Sequence, residues 1–95
     1  MAAIRIVIWI TREDYPAFRK LLPNDPAFPP SYDAWEQITR KKITEMEALG
    51  DTVRTPVTHP EDFTAHCDAG GINYNITSLS AFAAITDRQE RERGT

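Results

Sequence analysis

The residues best suited to chemistry lie late in the chain: His59, His66, Cys67, Asp68 and Tyr74. A thiol with an imidazole and a carboxylate nearby is the inventory of a nucleophilic site, where a base activates the thiol and a third group orients the base. Spacing argues against the adjacent three. His66, Cys67 and Asp68 fall in a segment of helical periodicity, where sequence neighbours point about 100° apart. Cys67 follows Phe63 by four residues, which sets the thiol on the apolar face as a small hydrophobe. A working pair would need His59 or another base brought in by the fold, with Tyr74 returning over a turn at Gly70-Gly71. His59, His66, Cys67 and Tyr74 therefore make a weak candidate site. The two histidines are separated by Pro60 and share no continuous helix, and no third ligand stands at a metal-binding spacing. No metal and no cofactor are expected.

The paired acids have plainer uses. Glu13-Asp14 and Glu61-Asp62 stand where helices begin, and the helix dipole favours negative charge there. Glu45 and Glu47 are two apart on a helix and do not face each other. Arg40-Lys41-Lys42 is the one basic run; it lacks interleaved aromatics for base stacking, so a nucleic-acid role, drawing on Arg54 as well, is a minor alternative. Gly70-Gly71 matches no phosphate-binding pattern and serves better to end a helix.

A second cluster could act as a surface. Pro23, Pro26, Pro29 and Pro30 stiffen a loop that carries Phe28 and leads into Tyr32 and Trp35. Stiff proline segments with flanking aromatics can form a recognition groove, or can close a lid over one end of a small core. Phe28, Tyr32 and Trp35, with Lys42 further along the same helix, are the candidate ligand or partner surface.

The element that must position all of this is Ile4-Arg5-Ile6-Val7-Ile8-Trp9-Ile10. Its isoleucines recur every second residue, so the segment is a strand, apolar on both faces. Asp14 and Pro16 open a short helix from about Tyr15 to Leu22. Ser31 caps the longest helix, about Tyr32 to Leu49, with Gly50 as its stop. On it Trp35, Ile38, Ile43, Met46 and Leu49 span an arc of about 140°, which predicts one buried face. Lys42 lies within that arc, its stem covering apolar surface or its charge meeting an anionic group. Thr52–Thr58 reads as a second strand, at an edge because of Pro56. A capping box at Thr58 and Glu61 opens a short helix to about Cys67 or Asp68. A last helix starts near Thr77 or Ser78, and residues 87–95 read as its frayed, charged tail.

Ninety-five residues, 41% hydrophobic and 26% charged, make one domain spanning 1–95 of ordinary globular composition. A net charge of −3 creates no field favouring nucleic acid or anionic membranes. No apolar run reaches the ~20 residues of a membrane span. A lone cysteine and the lack of an export signal predict the cytoplasm. The fold expected is α/β, a small two-layer domain in β-α-α-β-α-α order. Its two-stranded sheet is marginal alone and would be extended by homodimerisation through the first strand or the helices over it. The function expected is a non-enzymatic interaction or regulatory module. The alternatives are a small enzyme or ligand-binding protein near the Gly70-Gly71 turn, and a nucleic-acid-associated protein.

Overall fold

The computed structural model describes residues 2–23 and 25–93. Its elements run β1 (Ile4–Ile6), α1 (Tyr15–Leu21), α2 (Tyr32–Ala48), β2 (Thr52–Arg54), α3 (Pro60–Gly70) and α4 (Ile76–Arg93). The domain is thus α/β in the expected order, with four helices and a two-stranded parallel sheet. Among the described residues no helix is long and apolar enough to cross a membrane.

Both strands are shorter than the seven residues their patterning suggests. Ile4, Arg5 and Ile6 pair with Thr52, Val53 and Arg54, and pairing resumes only as a single bridge between Trp9 and Val57. Pro56 explains the gap. In this register its nitrogen would donate to the Val7 carbonyl, and proline has no N–H to give. The Pro56 carbonyl still accepts from Trp9 N–H at 3.2 Å, and Thr58 N–H returns a bond to Trp9 O at 3.0 Å.

Different helices cover the two faces of this ribbon, as a strand apolar on both sides requires. On one side Trp9 meets Trp35 of α2 at 5.3 Å between ring centres. On the other, Ile10 enters the core with Phe18, Phe63, Cys67 and Leu79. The expected two-layer packing is therefore a helix–ribbon–helix arrangement. Asp87 is buried on α4 and takes Arg91 Nε at 3.0 Å and an Arg54 guanidinium nitrogen at 3.7 Å. That cluster ties α4 to the end of β2.

Local sequence accounts for most boundaries. Ser31 Oγ accepts from Ala34 N–H at 3.1 Å, the cap expected of α2. Gly50 (φ 92°) and Gly71 (φ 64°) take the left-handed conformation just past α2 and α3, where a Cβ is unfavourable. The capping box at Thr58 is not used. His59 is the N-cap of α3, while Thr58 is buried with its hydroxyl towards Trp9 O at 3.4 Å. The start of α4 also differs: Asn75 Oδ1 accepts from Ser78 N–H at 2.8 Å, and Ser78 Oγ accepts from Asn75 N–H at 3.0 Å. This reciprocal pair starts the helix at Ile76, one or two residues before the position expected.

The long helix departs most from expectation. Only Trp35 and Thr39 of α2 are buried, whereas Ile38 is 52% exposed and Leu49 76% exposed. An apolar arc of about 140° needs a broad surface to lie on. A ribbon of two strands is too narrow to cover it, so one margin of the arc is left in solvent.

Candidate interaction surface

The open edge of β1 organises the main site. In β1 and its flanking residues the groups bonded to β2 and the segment after it belong to odd-numbered residues: Ala3 O, Val7 N–H, and both groups of Trp9. In a parallel pair alternate residues turn their peptide groups to opposite edges. The N–H and C=O of Ile4, Ile6 and Ile8 therefore point away from β2. At the far end of this edge Tyr32 hydroxyl donates to Ile10 O at 2.9 Å and closes it.

A cleft of about 350 Å³ runs along this edge. Val7 from one face of the strand and Ile6 and Ile8 from the other both line it, which places it beside the strand and between the layers. Ile38, Lys42 and Met46 of α2 form one wall, and Ile76 and Ser80 of α4 form the other. Pro26, Ala27 and Phe28 close the end near Tyr32.

The four residues of the candidate partner surface divide between lid and rim. Phe28 and Trp35 are buried, 7% and 6% exposed, so they do not present rings to a partner. They line the cleft floor and join an aromatic stack in which Tyr15 lies 6.0 Å from Phe28 and 5.7 Å from Trp35. Tyr32 sits behind, packed on Tyr15 and Trp35 with Arg12 over its ring at 4.8 Å. Burial raises the phenol pKa of Tyr15 and of Tyr32. The proline loop is thus held down, with Tyr15 hydroxyl donating to Pro29 O. Lys42 is exposed at the cleft rim. Of the four it alone is exposed, Tyr32 being half-buried.

The weak candidate site does not assemble. Cys67 is fully buried in the core. His66 packs flat-on-tilted against Phe82 at 5.0 Å. Tyr74 lies against Phe63 at 5.7 Å and its hydroxyl donates to Asp68, a bond that raises the phenol pKa. His59 lies apart in a polar groove between α3 and α4, with Asp62, Phe82 and Glu90. There its Nδ1 is 2.9 Å from Asp14 Oδ2, and this hydrogen bond raises the imidazole pKa above 6.5. That pairing ties the N-terminus of α3 to that of α1, a role that residue types do not signal, since Asp14 reads as a helix cap. Asp14 is the N-cap of α1 but its side chain makes no capping bond.

Of the basic run, Arg40 is engaged, while Lys41 and Lys42 are exposed. Arg40 lies over the Trp9 ring at 5.1 Å and pairs with Glu36 at 3.6 Å, and Arg54 faces Asp87. A free edge on the first strand is expected from its patterning; what residue types alone do not mark is the cleft of helix side chains beside it. Compared with known proteins, the chain matches no family model, no curated protein and no solved structure.

Proposed function

We propose that this chain is a small non-enzymatic interaction module that works as a homodimer, with the open edge of β1 as its binding element. One observation carries the reading: outward peptide groups at Ile6 and Ile8 run along an apolar cleft walled by two helices, and the same edge continues past its end at Ile4. An unpaired edge beside apolar walls is the arrangement that strand addition uses, with main-chain bonds giving affinity and side pockets giving register. A two-fold copy pairing antiparallel about Ile6 would set Ile4 opposite Ile8 of the partner copy and complete a four-stranded sheet. The enzyme alternative loses its nucleophile with Cys67 in the core. Commitment of Arg40 and Arg54 to protein partners weakens the nucleic-acid alternative.

Light scattering across a dilution series tests the proposal. The expected mass is twice the 10.8 kDa of the chain. Ile6→Pro removes an outward donor without touching the ladder to β2, and should shift the population to single chains while circular dichroism keeps its helical signal. A wild type that scatters as a single chain at every concentration would sink the proposal.

A further inference from the structure

We infer that α2 is the second half of a self-complementary interface, packing antiparallel on α2 of a second copy through Ile38, Lys42, Glu45 and Leu49. The inference rests on the homodimer proposed above and names the surface that would hold it.

The four residues are spaced four, three and four apart, the repeat of a helix–helix seam. At 3.6 residues per turn they fall within an arc of about 60°. All four are exposed, and the two apolar ends are the large hydrophobes the ribbon fails to cover. Ile38 and Lys42 also line the cleft, so the first half of the stripe faces the open side of β1. Met46 and Ile6 also line the cleft, so the wall that carries the stripe borders the strand residue about which the sheets would pair.

Charge decides the direction. Turned antiparallel about a point between Ile43 and Thr44, Ile38 meets Leu49 of the partner copy and Lys42 meets its Glu45, twice over by symmetry. A parallel arrangement would set Lys42 against Lys42 and Glu45 against Glu45. Among the described residues neither Lys42 nor Glu45 has an ion-pair partner within its own chain, so both charges are available. A two-fold axis normal to a shared sheet produces the antiparallel case.

α2 packs on β2 and reaches Trp9, beyond β1, through Trp35, while Ile38, Lys42 and Met46 carry its wall to the open edge. The two-fold axis that would pair the strand edges places the two α2 helices antiparallel on one face of the joined sheet.

The test is a charge exchange read by sedimentation equilibrium. Lys42→Glu alone, and Glu45→Lys alone, should each raise the dimer dissociation constant about tenfold or more by setting like charges opposite. The double variant K42E/E45K should return it to within about threefold of wild type. A cross-link provides the second measurement. Under oxidation I38C/L49C should give a covalent dimer, while I38C alone should not, because the two copies of position 38 would lie about 16 Å apart along the seam. A wild-type dimer indifferent to the charge exchanges and not joined by the cysteines would overturn the seam and leave strand pairing standing. A wild-type monomer would overturn both.

Discussion

His59 shows how a residue that looks catalytic can serve as a clasp. It is half-exposed, its Nδ1 meets Asp14, and that contact raises its pKa. A raised folded-state pKa means the folded chain holds the proton more tightly than the unfolded chain. The resulting stability is fully present below about pH 6.5 and is lost as pH rises through the higher folded value. Asp14→Asn should therefore lower the melting temperature more at pH 6 than at pH 8, and a proton-NMR titration should show the His59 pKa falling back towards its ordinary value. Equal losses at both pH values would show that the contact carries no charge. Cys67 gives the opposite lesson. With its side chain fully enclosed, the thiol should resist labelling in the native protein and react after denaturation. Cys67→Ser would bury a hydroxyl among apolar neighbours at a cost of about 1–3 kcal/mol, read as a lower urea midpoint.

At the scale of elements, legibility followed local punctuation. Ser31, Gly50, Pro60 and Gly71 bound α2 and α3 through chemistry confined to a few residues, and these boundaries could be read from the chain. The Ser31 cap carries a direct check: Ser31→Ala should cost about 1 kcal/mol, some 4–8 °C in melting temperature, while Thr44→Ala in mid-helix should cost far less. What could not be read was anything that depended on how much surface lay opposite. The arc from Trp35 to Leu49 was correctly helical and amphipathic, yet its burial required a sheet wider than two strands. The length of β1 was overread for a similar reason. Alternation from Ile4 to Ile10 describes side-chain direction, whereas pairing depends on Pro56, some fifty residues away.

For the whole molecule, the two exposed features belong to one side. The open edge of β1 and the uncovered margin of α2 both border the same cleft. The site was half legible: Phe28, Trp35 and Lys42 were named from their types, and all three line that cleft. Of the two readings of the aromatic–proline cluster, the rings of Phe28 and Trp35 take the lid's place, because apolar rings beside a stiff loop gain more by filling the core than by facing water. What remained outside was a lysine, two aliphatic side chains and a row of peptide groups.

If that side is completed by a second copy, folding and association are linked. Anything that binds only the folded chain stabilises it by mass action, and for a dimer the ligand is the protein itself. Each tenfold rise in protein concentration should then raise the melting temperature, by about 3–5 °C for two chains of this length unfolding together. Scanning calorimetry over two decades of concentration measures this slope. Lys42→Glu should flatten the slope at the dilute end, where the weakened dimer has already dissociated, without changing the melting temperature of the single chain. That chain then exposes the edge of β1, Ile38 and Leu49 together, so the variant should also aggregate more readily on heating. A melting temperature independent of concentration in the wild type would mean that the ribbon, narrow as it is, stands on its own two helix layers.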